Sequence, residues 1–380
     1  MMQEAGLNDY LFDAIRLGAS DLHVTVGVPP SVRVSGKIRH LDYPALTPNM
    51  TRELIYDILS NDQRQRLEGE LELDFAYTLP RTARFRVNVY FQRGSMGAAF
   101  RTIPHEIRSF NDLGLPKAIE DMTEKPRGLV LVTGPTGSGK STTLASMIDK
   151  INETREEHIM SVEDPIEFLH SHKKCIVNQR EVNQDTKSFA QALKHVLRQD
   201  PDTILVGEMR DLETIHLAVS AAETGHLVFG TLHTQDAPQT VDRIIDVFPS
   251  HQQSQIRTQL ANALQGIITQ TLIPRRDGKG RVPACEILVP TPGVRNLIRE
   301  GKNHQIYSAM QTGGKFGMQT MDAALVDLVR KGLISREEAE KRSSNPEELN
   351  RLAGGSMGGM GGAPNRPAAS SSGSYAALRR

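Results

Sequence analysis

The sequence has few of the features that mark secreted and nucleic-acid-binding proteins. It contains only two cysteines, Cys175 and Cys285, so neither a disulfide framework nor a cysteine-rich zinc site is indicated. The 45 basic residues (Lys and Arg) equal the 45 acidic residues (Asp and Glu) in number. A neutral chain has no electrostatic reason to bind nucleic acid, so no nucleic-acid partner is expected.

Long hydrophobic runs are also missing. Apolar stretches such as "LVLV" fall far short of the roughly 18 residues that a membrane span needs. The first twenty residues include acids and no long apolar core, so no signal peptide is predicted. These absences predict a soluble, cytoplasmic protein and leave docking on a membrane complex open.

With 380 residues, the chain is long enough for about two domains. Residues 1–104 have the pattern of a mixed α/β module, in which "SDLHVTVGVPPSVRVSGKI" predicts two strands around a Pro-rich turn. Further on, alternating apolar residues followed by Gly94 predict a β-hairpin with one buried face. The alternating residues are Phe85, Val87, Val89 and Phe91. Residues 105–127 are rich in Pro and Gly and are predicted to link two domains.

The pattern changes at Gly128. Over residues 128–290, short apolar strands alternate with helices, which predicts an α/β fold with a parallel sheet and right-handed crossovers. Two apolar stripes predict amphipathic helices. One stripe is Phe189, Ala192, Leu193, Val196 and Leu197; the other is Ile256, Leu260, Leu264, Ile267 and Ile268. The Gly-, Ser- and Met-rich tail 353–380 is predicted to be disordered, because it cannot bury enough apolar area.

A glycine-rich loop lies between a predicted strand and a predicted helix. Its glycines let the backbone curl until the amides point at phosphate oxygens, Lys140 brings positive charge, and the Ser141 hydroxyl is a ligand for Mg²⁺. The sequence therefore predicts a site for a nucleotide with Mg²⁺. The residues predicted to bind it are Gly134, Pro135, Thr136, Gly137, Ser138, Gly139, Lys140, Ser141 and Thr142.

Acidic residues follow two further strands, and in an open parallel sheet both sets point at the ligand. Glu208 is placed to orient Mg²⁺ through water, and Glu163 to polarise an attacking water. With Lys140, these two are the candidate catalytic residues. Asp164 and Glu167 are weaker candidates, and Asp211 has the alternative role of capping a helix that Gly225 ends. A water-orienting acid favours hydrolysis over transfer to a small molecule.

Two histidines flank the strand in "GHLVFGTLHT". His233 is a candidate for sensing the γ-phosphate. His226 is as easily a structural hydrogen-bonding group. Neither has the spacing or the nearby acids of a zinc site.

Together, "GPTGSGKST", "SVEDPIEF", "ILVGEMRD" and "GHLVFGTLHT" resemble the Walker A, Asp-box, Walker B and His-box motifs of the secretion ATPase superfamily. Its members are the hexameric motors of type II and IV secretion and of type IV pili. The resemblance implies ATP and Mg²⁺ as cofactors and a homohexamer. It also implies a PAS-like N-terminal domain, a RecA-like P-loop core over 128–290 and a C-terminal helical region over 291–352.

The segment "GVRNLIRE" is similar to the Ala-Ile-Arg-Asn-Leu-Ile-Arg-Glu hallmark of the pilus-retraction, or twitching-motility, branch and differs at its first two positions. Thr291 and Pro292 suit a helix start and Gly301 its end. Its polar residues are predicted to point outward, as a solvated face or as an element coupled to the pilus machinery. They are Arg295, Asn296, Arg299 and Glu300. Assembly relatives usually carry a four-cysteine zinc insertion, so two cysteines favour retraction.

The resemblance also implies residues and partners that the motifs alone do not indicate. Arg86 and Arg101 match the phosphate-contacting arginines that the N-terminal domain contributes as the cleft closes. The weaker candidates Arg198, Arg210 and Arg243 are more simply surface ion pairs. The implied partners are an inner-membrane platform protein, the pilus base and a paralogous retraction ATPase, which would place the protein at the cytoplasmic face of the inner membrane.

Several alternatives remain open at this point. Within the superfamily they are an accessory retraction paralogue and a pilus assembly or secretion motor, because the nucleotide chemistry is common to all. A different class is a RecA-like DNA translocase, against which stand the neutral charge and the lack of an aromatic and basic stripe. A further class is a nucleotide switch that does not hydrolyse.

Overall fold

Two separate β-sheets organise the chain in the computed structural model, which describes residues 5–34, 36–80, 82–103 and 107–354. The tail was predicted to be disordered, and its residues from 355 onward lie outside the described range. No helix in the described ranges is long and apolar enough to cross a membrane.

The N-terminal sheet has six antiparallel strands in the order β3-β2-β1-β6-β5-β4. The strands are β1 (Asp21–Val24), β2 (Ser31–Val34), β3 (Lys37–His40), β4 (Glu72–Leu79), β5 (Ala83–Gln92) and β6 (Ser95–Ile103). Three helices pack with them: α1 (Leu7–Arg16), α2 (Pro48–Tyr56) and α3 (Asn61–Glu70).

The predicted hairpin is confirmed by β5 and β6. Phe85, Val87 and Val89 are fully buried. The turn between the strands uses left-handed backbone at Arg93 (φ 47°) and Gly94 (φ 75°), which matches the twist of a two-residue hairpin. The opposite face of β5 is polar and carries both Arg84 and Arg86, which are two residues apart.

The second sheet has seven strands in the order β13-β12-β7-β11-β10-β8-β9 and confirms the α/β prediction. Strands β7 to β12 run parallel to their neighbours, and β13 pairs antiparallel with β12. The strands are β7 (Gly128–Thr133), β8 (His158–Glu163), β9 (Ile176–Glu181), β10 (Thr203–Val206), β11 (Leu227–Leu232), β12 (Leu264–Pro274) and β13 (Arg281–Leu288).

Helices cover both faces of this sheet. They are α4 (Phe110–Leu113), α5 (Lys117–Thr123), α6 (Lys140–Thr154), α7 (Phe189–Val196), α8 (Leu212–Thr224), α9 (Ala237–Asp246) and α10 (Ser250–Ala263). The first two lie in the segment 105–127, where Phe110, Ile119 and Met122 are buried in the core beneath β7 and α6. Most of the segment between the sheets is therefore packed structure.

One helix prediction is wrong. The stripe from Ile256 to Ile268 is not one helix, because α10 ends at Ala263 and Leu264 begins β12. This strand lies between β7 and β13, so Ile267 and Ile268, which point to opposite faces, are both fully buried. A strand buried on both faces has no alternation to distinguish it from a helix, and pairing with β7 decided the outcome.

Beyond the sheets come α11 (Pro292–Arg299), α12 (Ile306–Thr312), α13 (Met321–Arg330), α14 (Arg336–Glu340) and α15 (Pro346–Leu352), with short 3₁₀ turns at Asn303–Gln305 and Gly314–Phe316. The predicted start of α11 is confirmed, because Thr291 Oγ1 accepts a hydrogen bond from the Val294 amide. The prediction that Arg295 points outward is wrong. The Arg295 guanidinium donates to the carbonyls of Ala261 and Asn262 at the end of α10.

Arg295→Ala is expected to destabilise the fold by about 1–2 kcal/mol, because charge-assisted bonds to otherwise unpaired helix-end carbonyls are lost. The matched control is Arg299→Ala on the same helix, whose side chain is exposed and whose loss is expected to cost under about 0.5 kcal/mol. Denaturant unfolding of the two variants measures the difference. Equal losses would contradict this role for Arg295.

Candidate functional site

The predicted glycine loop lies at the carboxyl edge of the second sheet, where β7 gives way to α6. It borders a cavity of about 410 Å³ that is also lined by residues following β8, β10 and β11. The carboxyl ends of parallel strands are the usual position for a ligand in an open α/β sheet.

Three glycines hold the loop in left-handed backbone, with φ 133° at Gly134, 78° at Gly137 and 91° at Gly139. Two of them also lie against β12. A Cβ atom on Gly134 would lie 2.3 Å from the Gln270 carbonyl oxygen, and one on Gly139 would lie 2.7 Å from Gln270 Nε2. The curl therefore depends on glycine both for its backbone angles and for its close approach to the strand.

The start of α6 is open towards the cavity. Gly139 precedes the helix and no side chain caps it, so first-turn amides are available for an anion. Lys140 Nζ donates to the carbonyls of Gly134 (2.8 Å) and Pro135 (3.2 Å). Burial lowers the pKa of Lys140, and the charges of Glu208 and Glu167 partly oppose that shift.

Within the described residues, the buried Ser138 Oγ has no hydrogen-bond partner. An uncapped helix start, a lysine ammonium and an unpartnered hydroxyl together form a cradle of donors. Such a cradle fits the phosphate chain of a nucleotide.

Gln270 is a bracing residue that the sequence analysis missed. Its Oε1 accepts from Thr143 Oγ1 (2.7 Å), and its Nε2 donates to the Ser138 carbonyl (2.8 Å). One buried amide thus joins the loop to the first turn of α6. The available signal was a polar residue inside the run "GIITQTLI", which the mistaken helix prediction concealed.

Glu163 ends β8 and is 9 % exposed at the wall of the cavity. Its Oε1 accepts from Ser161 Oγ (2.6 Å) and Gln179 Nε2 (3.1 Å). Burial raises the pKa of this carboxyl to about 7. A carboxyl of that pKa is half ionised at neutral pH and is suited to accept a proton there.

Gly207 packs directly behind this acid. A Cβ atom at residue 207 would lie 3.1 Å from Glu163 Cα, tight enough to push the backbone of β8. The sequence analysis named none of these residues. Strand pairing brings Gly207 and Gln179 to Glu163, whereas Ser161 lies two residues before it on β8.

Glu208 follows β10 and contacts a histidine and an arginine. His233 Nε2 lies 3.0 Å from Glu208 Oε1, and the Arg210 guanidinium contacts the same oxygen. Glu208 and His233 line the cavity with Asp164 and Glu167, so the structure brings these predicted residues together. Arg210 therefore forms an ion pair, which was the simpler of its two predicted roles.

Other predicted residues lie elsewhere. Asp211 Oδ1 accepts from the Thr214 amide (2.9 Å), which confirms its capping alternative. His226 Nδ1 lies 3.0 Å from the Ala221 carbonyl oxygen at the end of α8, which supports its structural alternative. Arg198 and Arg243 are exposed and do not line the cavity.

Arg86 and Arg101 are also outside the cavity lining in this structure. They face each other across β5 and β6, where Arg86 is exposed and Arg101 Nε donates to Asp21 Oδ1 (2.9 Å). Arg281, at the start of β13, was not predicted as a site residue and does line the cavity.

A neighbouring cavity of about 500 Å³ continues past Gly139 and Thr142. Its lining combines apolar residues from the segment before β7 with residues of the β12–β13 pair. The apolar residues of the lining are Leu113, Leu115, Phe168, Leu272 and Pro283.

Comparisons with known proteins agree with this geometry. Residues 3–341 match the family model described as type II/IV secretion system protein. The chain is 54 % identical over 343 residues to the type IV pilus retraction ATPase PilT of Pseudomonas aeruginosa, covering 90 % of this chain and 99 % of that one. It is 52 % identical over 320 residues to a twitching motility protein of Neisseria gonorrhoeae, covering 84 % and 86 %.

A solved structure extends the similarity to three dimensions. The crystal structure of the pilus retraction motor PilT with bound ADP superposes with a TM-score of 0.86 at 53 % identity, covering 92 % of this chain and all of that one. Since the family model spans most of the sequence and close relatives match over nearly their full length, the chain belongs to the type II/IV secretion system protein family.

Proposed function

We propose that this chain is an ATPase that powers retraction of type IV pili, and with it twitching motility, as a homohexamer. The observation that carries the proposal is the donor cradle at the start of α6, which shares a cavity with the buried Glu163 at the end of β8, in a chain 54 % identical to a pilus retraction ATPase. The assembly would work in the cytoplasm, at the inner-membrane face of the pilus machine.

Gly134 to Thr142 would hold the phosphates through backbone amides and the Lys140 ammonium. Ser141 and Glu208 would hold Mg²⁺, the latter partly through water, since Mg²⁺ keeps several waters and few protein ligands. When bound, Mg-ATP supplies the phosphoanhydride bond and the divalent charge that offsets the negative phosphates. The apolar cavity beside Thr142 suits the base.

Glu163 would accept the proton of the attacking water. Its Oε1 is held by Ser161 and Gln179, so the carboxylate has a defined direction before any ligand arrives. Glu208 links the cation site to His233, whose Nε2 it binds, and His233 would follow changes at the phosphates. The Lys140 ammonium would give up its hydrogen bonds to the loop carbonyls and donate to phosphate oxygens instead.

Arg86 and Arg101 would complete the site when the N-terminal sheet closes onto the second sheet. An arginine at the transferring phosphoryl group contributes on the order of 10³-fold or more to rate. On this proposal, their position outside the cavity would correspond to an open protomer. Staggered closure around a ring would convert hydrolysis into mechanical deformation.

The proposed division of the chain follows the two sheets. Residues 1–104 form the PAS-like N-terminal domain, 105–127 the link, 128–290 the RecA-like core, 291–352 the helical region and 353–380 the tail. The proposed partners are the platform protein, the pilus base and a paralogous retraction ATPase. Two cysteines in the whole chain cannot form a four-cysteine zinc insertion, which favours retraction over assembly.

In cells that lack the native gene, Glu163→Gln is expected to give abundant surface pili and no twitching, because the base is removed while the cradle is intact. Lys140→Ala is expected to give the same phenotype through lost nucleotide binding. Electron microscopy of pili and a surface motility assay measure both. Bald cells would instead indicate an assembly motor, and unchanged motility would refute the proposal.

The hydrolysis rate at saturating Mg-ATP is expected to rise with pH through about 7 and to fall about tenfold per pH unit well below it, because only the ionised Glu163 accepts a proton. A flat profile between pH 6 and 8 would count against Glu163 as the base.

The same pKa is measurable without hydrolysis. It is about 7 in the folded chain against an ordinary value of 4.5, so the stability contributed by the neutral carboxyl is lost as pH rises through about 7. Glu163→Gln should therefore melt above the parent protein at pH 8 and near it at pH 5.

Gln270→Leu is expected to weaken ATP binding about tenfold, because the loop loses both bonds that join it to α6 while the side-chain volume is kept. The matched control is Gln265→Leu on the same strand, whose side chain donates to the Arg127 carbonyl and, among the described residues, does not contact the loop. A fluorescent ATP analogue measures both affinities. Equal affinity in the two variants would show that the brace does not shape the loop.

A further inference from the structure

An ion pair joins the two sheets close to the site. Arg84 on β5 has its Nη2 2.7 Å from Oε2 of Glu181 on β9, and the two side chains are only 15 % and 3 % exposed. Arg84 Nη1 also donates to Thr78 Oγ1 on the neighbouring strand (3.2 Å), which fixes the guanidinium on its own sheet.

Glu181 lies beside the proposed base. It is the last residue of β9 and pairs in register with Glu163, the last residue of β8. The next amide, of Val182, donates to the Glu163 carbonyl (2.8 Å). The strand end that carries the base is therefore bonded to the strand end that receives the arginine.

The same carboxylate holds the segment that follows the base. Oε2 of Glu181, the oxygen bound by Arg84, accepts from the Ile166 amide (3.1 Å). Two residues earlier on β9, Gln179 Nε2 donates to the Phe168 carbonyl (2.8 Å) and to Glu163. Residues 164–168, which supply part of the cavity wall, are thus tied to β9 at two points.

Removing one partner of this pair would leave a charge that is mostly buried and uncompensated. Without Arg84, the Glu181 carboxylate would turn towards water, and its bond to the Ile166 amide would weaken. Arg84 lies two residues from Arg86 on the same polar face of β5.

We infer that Arg84 and Glu181 are positioning residues, through which the N-terminal sheet holds the segment 164–168 and the adjacent Glu163 in place for hydrolysis. Neither residue is assigned to the reacting atoms. The kinetic part of this inference rests on the proposed ATPase function, and the structural part does not.

Hydrogen–deuterium exchange on the full-length protein tests the structural part. Glu181→Ala is expected to accelerate exchange of the amides in 166–168 by at least about tenfold, because Ile166 loses its acceptor. Arg84→Gln should accelerate the same amides by about threefold or more, and Arg84→Lys less. Exchange within α6 reports on the rest of the sheet and should not change.

One result would contradict the inference: Glu181→Ala accelerates exchange of the amides in 166–168, but Arg84→Gln leaves their rates unchanged. The N-terminal sheet would then not stabilise this segment. Exchange that rises throughout the second sheet would also overturn the inference, because the pair would then support the fold in general. Arg39→Ala, an exposed arginine on β3, is the matched control and should leave every amide unchanged.

Steady-state kinetics test the positioning role. Arg84→Gln is expected to lower kcat for ATP about tenfold with KM within about threefold, since a small misplacement of the base affects the reaction more than binding to the loop. Arg84→Lys should recover part of kcat. A rise in KM at constant kcat would refute positioning, whereas a parent protein without ATPase activity would refute the proposed function and leave the exchange result standing.

Discussion

The structure depends on one constraint: the loop between β7 and α6 must leave the start of α6 uncapped for an anion and still hold a single shape. Left-handed glycines give the curl but no rigidity. Rigidity comes from β12, which approaches Gly134 too closely for a side chain and whose Gln270 amide binds both Ser138 in the loop and Thr143 in α6. An anion site thus exists before any anion binds, because a strand from later in the chain supports it.

Glu163, the acid across the cavity from the loop, is also held in one position before any ligand binds, and its burial costs stability. Glu163 is kept in a buried position where its ionised form is disfavoured, and Ser161 and Gln179 offset part of that penalty. A fully solvated glutamate would be ionised at pH 7 but would be a weaker base and would lack a fixed direction. In the proposed mechanism, the pairing of β8 with β9 would therefore contribute to the reaction as well as to the sheet, and it joins the end of β8 to Glu181 and, through Arg84, to the N-terminal sheet.

Much of this arrangement was predictable. The strand–loop–helix pattern at Gly128 to Ile151, the acids after two strands and the alternation in β5 each depend on neighbours in sequence, and each is present in the structure. The errors have a common cause. Residues 264–268 continued a helical stripe, yet they form a strand because β7 offers a partner. Arg295 looked like a solvated residue, yet the carbonyls that end α10 lie within its reach.

By itself, the sequence determined the α/β class, the phosphate loop, its lysine and the identity of the acids, since these follow from residue type and local spacing. Only the tertiary structure decided how they are supported and which arginine joins the two sheets. Gln270, Gly207, Gln179 and Glu181 act across strands, and Arg84 rather than Arg86 makes the buried contact between the two sheets. Contacts of that kind depend on sheet order and register, which no short window of sequence encodes.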